Sequence, residues 1–179
     1  MRLSVVNIKR YLTVLTLLLV ALSTHAGATE LEKEEAGAGI GFNINGEESW
    51  QILLAASLLH ERGTKNIYPY LEADLEIINT TEDATLVAGI TQFLRFTNRT
   101  DKTFLELGAG VNLKDRDHIG TKKLAGRVVF SLNIGVGKGI ETGYGKMEVS
   151  LRFRHLSNGG LYSPNESFNS LYLMLSRRF

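Results

Sequence analysis

The chain has 179 residues, no cysteine, and 20 Lys and Arg against 19 Asp and Glu. This length suits a single domain. Proteins that bind nucleic acid usually carry a basic surface, and the near-neutral charge of this chain predicts no nucleic-acid partner. The missing cysteine excludes disulfides, thiolate catalysis and cysteine metal ligands.

The first element is an N-terminal segment typical of a secretory signal peptide. A basic start precedes an apolar run over residues 11–22, and small residues around Ala26 and Ala28 offer cleavage sites. The run is shorter than the roughly 20 residues that a spanning helix needs, which argues against a membrane anchor. We expect residues 1–26 to be the signal peptide, with cleavage after Ala26 or Ala28, and residues 29–179 to form the exported domain.

Eight segments of strand length follow, separated by polar or glycine-rich breaks. Most alternate between aliphatic residues on one face and polar or charged residues on the other, with the period of two of a β-strand. The second segment alternates least, and its flanking charges also fit a short amphipathic helix. The predicted strands cover residues 36–44, 49–59, 67–78, 84–96, 103–113, 128–137, 146–157 and 167–179.

Strand length and the chain terminus favour a barrel in a membrane. A tilted transmembrane strand needs roughly 9–11 residues, and the last strand ends on Phe179, which resembles the terminal aromatic of bacterial outer-membrane proteins. Closure of the last strand on the first removes both sheet edges. We therefore predict an all-β fold, an eight-stranded antiparallel transmembrane β-barrel, with these charged residues inside: Glu72, Asp74, Glu76, Arg95, Glu106, Glu148, Arg152 and Arg154.

Alternation alone leaves two other architectures open. A soluble periplasmic sandwich or a lipocalin-like carrier would bury the aliphatic face and wet the charged one. A barrel of this size could also serve as a pore, although eight strands leave an interior that side chains can fill.

The candidate chemistry lies at the end of the seventh predicted strand. His155 and Ser157 fall on the face of Leu151 and Phe153, so a base and a hydroxyl leave the aliphatic face together. A serine whose proton a histidine can take is the start of acyl-transfer chemistry. If the aliphatic face meets lipid, this pair points at lipid.

The residues that follow could complete such a site. Asn158 and the backbone N–H groups after it have the equipment of an oxyanion hole. Asn169 has the parity of His155 on the returning strand, and its side-chain oxygen can accept the imidazole Nδ1 proton. Glu166 is the alternate third member, although its parity is opposite.

These residues resemble the PagL family of outer-membrane lipid A 3-O-deacylases. The likeness is carried by R-H-L-S-N-G-G-L at 154–161, by Pro164-Asn165, and by K-T-F-L-E-L-G-A-G-V at 102–111. The resemblance implies a serine esterase on the outer surface of an outer-membrane barrel, with no cofactor and no metal. Its substrate would be lipid A in lipopolysaccharide, cleaved at the ester of the 3-hydroxyacyl chain on position 3.

The resemblance also implies roles for single residues. Ser157 would be the nucleophile and His155 the general base, while the Asn158 side chain and the Gly160 N–H would stabilise the oxyanion. Best-studied members of the family carry Glu where this chain has Asn169. That departure keeps a rival hypothesis open, a catalytically degraded barrel with a binding or structural role. A homodimer is compatible with the sequence, which does not determine the oligomeric state.

Overall fold

Eight antiparallel strands form a closed barrel in the computed structural model, which describes residues 32–60, 66–98, 100–142 and 145–178. Each strand pairs with its neighbours along the chain, and the last pairs with the first, so the predicted fold is confirmed. The predicted signal peptide and the terminal Phe179 lie outside the described residues. The strands are β1 (Glu32–Asn43), β2 (Ser49–His60), β3 (Ile67–Thr80), β4 (Ala84–Asn98), β5 (Thr103–Lys114), β6 (Val128–Thr142), β7 (Gly145–Ser157) and β8 (Phe168–Arg178).

The weakly alternating second segment is a strand, so the helix alternative is wrong. Its inward-facing Leu53 and Ala55 are buried in one apolar cluster with Tyr172 and Met174 of β8. Because β2 meets apolar partners inside and aliphatic surroundings outside, it carries hydrophobic residues on both faces. This packing explains the missing period of two.

Ion pairs fill the middle of the barrel. Arg95 donates to Glu106 at 2.6 Å, and Arg152 donates to Glu72 at 2.6 Å. All eight charged residues predicted inside face the interior, and the most exposed of them, Glu148, has only 12% of its side chain accessible. Side chains of mixed charge therefore occupy the interior and pair with one another, as expected for a barrel of eight strands.

The β5–β6 connection, residues 115–127, closes one end of the barrel. It inserts Ile119 and Leu124 into an apolar cluster that includes Leu156 of β7 and Phe168 of β8, all of them buried. The same end carries the β7–β8 loop, residues 158–167. Outer-membrane barrels have short periplasmic turns and longer extracellular loops, so this is the extracellular end.

The outer surface is aliphatic around the barrel. Exposed hydrophobic side chains include Ile90, Leu107, Leu132 and Leu151, which come from four strands. With ion pairs inside and aliphatic residues outside, the soluble sandwich and the carrier are wrong, because both require the opposite arrangement. No helix among the described residues is long and apolar enough to cross a membrane.

Candidate active site

His155 and Ser157 lie on the outer surface near the extracellular end of β7. His155 is opposite Leu132 of β6 and Asn169 of β8, and Ser157 is opposite Phe130 of β6. Both polar side chains are partly exposed, whereas the intervening Leu156 is buried in the interior. The pair therefore projects from the lipid-facing surface.

A hydrogen bond joins the histidine to β8. His155 Nδ1 lies 2.7 Å from Asn169 Oδ1. An amide oxygen only accepts, so the hydrogen of this bond belongs to Nδ1, and the neutral imidazole keeps Nε2 free to accept a proton. The asparagine thus fixes both the ring orientation and the tautomer that a general base needs.

Ser157 stands one strand period beyond His155. Side chains two residues apart on a strand leave the same face about 6–7 Å apart, a separation that an imidazole ring can span. Among the described residues, no hydrogen bond joins the Ser157 hydroxyl to the imidazole. The two groups are therefore neighbours on one face, and in enzymes such hydrogen bonds often tighten only when substrate binds.

Asn158 is fully buried beneath the loop that follows Ser157. Its Nδ2 donates to the carbonyl oxygens of Ala125 at 3.0 Å and Tyr162 at 2.9 Å, with Pro164 O at 3.4 Å. Its Oδ1 accepts the N–H of Gly160 at 2.9 Å. The side chain therefore ties the β7–β8 loop to the β5–β6 connection.

The turn after Asn158 depends on glycine. Gly159 and Gly160 have φ values of 63° and 79°, in the left-handed region where a side chain is strained. In this arrangement the Gly160 N–H donates to Asn158 Oδ1, and Asn158 Nδ2 donates to backbone carbonyl oxygens. Their roles as oxyanion donors stay predictions, and they require these hydrogen bonds to exchange when substrate binds.

Glu166 lies away from the imidazole. Its Oε2 accepts the N–H of Lys123 at 2.6 Å, and its own N–H donates to Lys123 O at 3.2 Å. The carboxylate therefore holds the β5–β6 connection against the β7–β8 loop. The structure brings Asn169, and not Glu166, to His155.

Asn165 is a further candidate residue for this site, and the sequence pattern assigned it no role. Its Oδ1 accepts the N–H of Asn158 at 2.9 Å, next to the Ser157 carbonyl carbon. Within the part of the chain that the structure describes, no acceptor is bound to Asn165 Nδ2, and the residue is exposed. The Pro164-Asn165 pair was the available signal, but only the folded loop reveals a donor beside the serine.

A second cluster ties the extracellular loops together. His118 of the β5–β6 connection contacts Asp117 through Nδ1 at 2.8 Å and Asp83 of the β3–β4 loop through Nε2 at 3.0 Å. The hydrogen bond to Asp117 raises the pKa of His118 most; desolvation lowers the pKa, and the contact with Asp83 raises it further, so that the net shift is upward. Arg116 also binds Asp83, at 2.9 Å. The loop that supports Asn158 is therefore anchored on its far side by charge.

Comparison with known proteins identifies the relatives of this barrel. The family model described as lipid A 3-O-deacylase (PagL) matches residues 21–178. The chain belongs to the PagL family. The family assignment thus agrees with the resemblance carried by the H-x-S-N-G-G segment.

Solved structures share the fold at low sequence identity. The crystal structure of the outer membrane enzyme PagL is 21% identical, with a TM-score of 0.66, and the match covers 79% of this chain and 97% of that one. Neisserial surface protein A is 13% identical, with a TM-score of 0.51, over 82% of this chain and 95% of that one. A search of curated protein sequences gives no match.

Proposed function

We propose that this outer-membrane protein is a lipid A 3-O-deacylase that uses a serine esterase mechanism. Membership of the PagL family supports deacylation of lipid A. The observation that carries the mechanism is the placement of Ser157 beside a histidine whose Nδ1 is held by Asn169, on the lipid-facing surface at the extracellular end. Lipid A in the outer leaflet would meet this surface directly.

The reaction begins with proton transfer to histidine. His155 Nε2 takes the proton of Ser157 as Oγ bonds to the acyl carbonyl carbon of the ester on position 3 of the sugar. The carbon–oxygen bond to the sugar then breaks, and the imidazolium returns the proton to the leaving sugar oxygen. Water, deprotonated by the same histidine, then attacks the acyl carbon of the acyl-enzyme. The bond between that carbon and Ser157 Oγ breaks, the imidazolium returns the proton to Oγ, and the 3-hydroxy fatty acid is released.

Stabilisation of the tetrahedral oxyanion falls to the β7–β8 loop. Asn165 Nδ2 is a donor without an acceptor among the described residues, and its amide is oriented by the N–H of Asn158. The Gly160 N–H can contribute if its hydrogen bond to Asn158 Oδ1 opens, and Asn158 Nδ2 can contribute if it leaves the carbonyl oxygens of Ala125 and Tyr162. Loss of one oxyanion donor costs about 10²–10³ in kcat, so Asn165→Ala should lower kcat by about that factor if its amide serves this role.

The acyl chain would lie along the outer surface of β7 and β8. Phe153 and Leu171 are opposite each other one period below the His155–Asn169 pair, followed by Leu151 and Leu173. This row runs from the candidate nucleophile toward the middle of the membrane. A hydrocarbon chain on the row would stay in an apolar environment while its ester remains beside Ser157.

One observation favours a second candidate, a non-enzymatic barrel. Asn169 is neutral, so it orients the imidazole but supplies no charge to stabilise an imidazolium, a function that a carboxylate performs in triads. In this hypothesis the site still binds lipid A without cleaving it. Binding without release of fatty acid would favour this candidate.

The test compares lipid A after incubation of lipopolysaccharide with purified protein. We expect the wild type to remove the mass of one 3-hydroxyacyl chain, detected by mass spectrometry, and Ser157→Ala to leave lipid A intact. Ser150→Ala is the matched control, because Ser150 lies on the inner face of the same strand and is buried. Equal release by the wild type and Ser157→Ala would refute the proposed nucleophile.

A further inference from the structure

We infer that Asn45, in the β1–β2 loop, is a positioning residue that holds Asn169 against His155. This inference rests on the proposed function of the His155–Asn169 pair. Asn45 is 124 residues away from Asn169 in the sequence, and the two meet only because β8 closes on β1.

The side chain of Asn45 takes over where the β1–β8 ladder ends. The last paired residues are Asn43 and Ser170, and the N–H of Ile44 still donates to Asn169 O at 2.9 Å. Beyond this point the backbone of the β1–β2 loop no longer pairs with β8, and the side chain of Asn45 makes the next two hydrogen bonds to it. Its Oδ1 accepts the Asn169 N–H at 3.3 Å, and its Nδ2 donates to Ser167 O at 2.8 Å.

A donor and an acceptor on one planar amide imitate the peptide group of a paired strand. Asn45 therefore extends the sheet by one side chain, over the residues with which β8 begins. Without it, Ser167 and Asn169 would lose two partners at the end of the strand, where fraying is easiest. Movement there changes the 2.7 Å contact between Asn169 Oδ1 and His155 Nδ1 directly.

Asn45 is itself held in place by its own loop. Its N–H donates to Asn43 Oδ1 at 2.9 Å, and the N–H of Glu47 donates to the same oxygen at 3.1 Å. Gly46 follows with a φ of 95°, which permits the turn. Glu47 is buried and accepts hydrogen bonds from Thr121, so the loop also contacts the β5–β6 connection.

A double-mutant cycle distinguishes an effect of Asn45 on the position of Asn169 from an effect of Asn45 on the stability of the barrel. In the wild-type background, Asn45→Ala should lower kcat about tenfold, the effect of one or two lost hydrogen bonds, and leave KM within about twofold. In an Asn169→Ala background, the same change should alter kcat less than about twofold, because the residue through which Asn45 acts is gone. Lipopolysaccharide and a soluble short-chain ester serve as parallel substrates for the full-length protein in detergent.

Two variants serve as controls. Asn45→Asp keeps an oxygen for the Asn169 N–H and should recover at least half of the lost kcat. Asn98→Ala removes a comparable asparagine at the other end of the barrel, where Asn98 Oδ1 accepts the N–H of Thr100, and should leave kcat unchanged. Equal losses from Asn45→Ala in the wild-type and Asn169→Ala backgrounds, or no loss in the wild type, would overturn the inference.

The tautomer of His155 gives a readout that does not need activity. Nitrogen NMR of the labelled ring should place the hydrogen on Nδ1 in the wild type, and Asn45→Ala should show a mixture of tautomers. An unchanged spectrum in Asn45→Ala contradicts the inference. If the wild type cleaves neither substrate, the proposed function fails, whereas the NMR comparison still decides the role of Asn45.

Discussion

The two faces of β7 carry polar groups of contrasting character. On the inner face, Arg154 is fully buried, donating to Asp74 at 2.8 Å and to Asn112 at 2.6 Å, with Glu76 3.2 Å from Nε. On the outer face, the neighbouring His155 bonds to Asn169 through Nδ1, and no second hydrogen-bond partner of the ring lies among the described residues. Inside, opposite charges pair, although Arg154 Nη1 has no hydrogen-bond partner among the described residues. Outside, the Ser157 hydroxyl and His155 Nε2 have no partner among those residues.

The difference distinguishes a structural polar group from a functional one. A buried charge must be paired, since its desolvation would otherwise cost several kcal/mol. A histidine and a serine on a lipid-facing surface receive no hydrogen bonds from hydrocarbon, and of the two only His155 has a side-chain partner, Asn169, among the described residues. Their position is costly for the fold, which is the reason we propose a role on lipid for them.

The largest expected effect is the loss of activity on removal of the outer base. His155→Ala should lower fatty-acid release by about 10³–10⁴-fold, because the nucleophile loses its general base and the leaving group loses its acid. The barrel should remain folded, as judged by heat-modifiable migration in gels. Substantial fatty-acid release by a folded His155→Ala protein would contradict the role of His155 as the general base.

Removal of the inner arginine should affect stability instead. Arg154→Leu leaves Asp74 and Glu76 buried without their cation, and we expect a loss of about 3–5 kcal/mol in the free energy of unfolding. Urea unfolding in detergent or vesicles measures it. Arg127→Leu is the matched control, since Arg127 is exposed on the β5–β6 connection and should change stability little. Similar losses in the two variants would contradict the structural role of Arg154.

Asn169 is the one side-chain hydrogen-bond partner of His155 among the described residues. Asn169→Leu keeps similar volume but removes the acceptor, and we expect kcat to fall about 10²-fold. Asn169→Asp keeps the acceptor at the same position and adds a charge that stabilises the imidazolium, so its kcat should equal or exceed that of the wild type. A fall in kcat for Asn169→Asp as large as for Asn169→Leu would argue against the orienting role.

The smallest expected effect concerns the loop anchor at His118. The folded pKa of His118 is raised by Asp117 and Asp83, so its stabilising contribution is complete below the unfolded value of about 6.5 and is lost as pH rises through the folded pKa. Hydrogen exchange in residues 115–127 should therefore quicken above that range, beyond the intrinsic change in exchange rate. His118→Gln should remove this extra pH dependence.

Much of the barrel could be predicted from the sequence, because its outer surface is apolar and its interior is charged. Lipid outside and ion pairs inside impose a period of two that the sequence displays clearly over six of the eight strands, since β1 is rich in Gly and Ala and alternates weakly, and β2 alternates least. The predicted strands mostly ended earlier than the observed ones; β6, for example, continues from residue 137 to Thr142. The pairing of His155 with Asn169 also followed from parity on adjacent strands.

The support of the site could not be predicted from local patterns. The Asn158 side chain reaches Ala125, and Asn45 reaches Asn169, across 33 and 124 residues of chain. These contacts depend on how two loops fold over one end and on the register with which β8 closes on β1. An Asn-Gly pair such as Asn45-Gly46 indicates only a turn, since nothing local indicates which strand the asparagine side chain will meet.

We propose that His155 activates the neighbouring, outward-facing Ser157, and a covalent probe for nucleophilic serines measures this activation. Purified protein in detergent is treated with an acyl-chain phosphonate, and the modified peptide is identified by mass spectrometry. We expect one adduct on Ser157 in the wild type, none on Ser150, and at most a trace on Ser157 in His155→Ala. The absence of an adduct on Ser157 in the wild type, or equal labelling of Ser157 in His155→Ala, would contradict activation of the serine by the histidine.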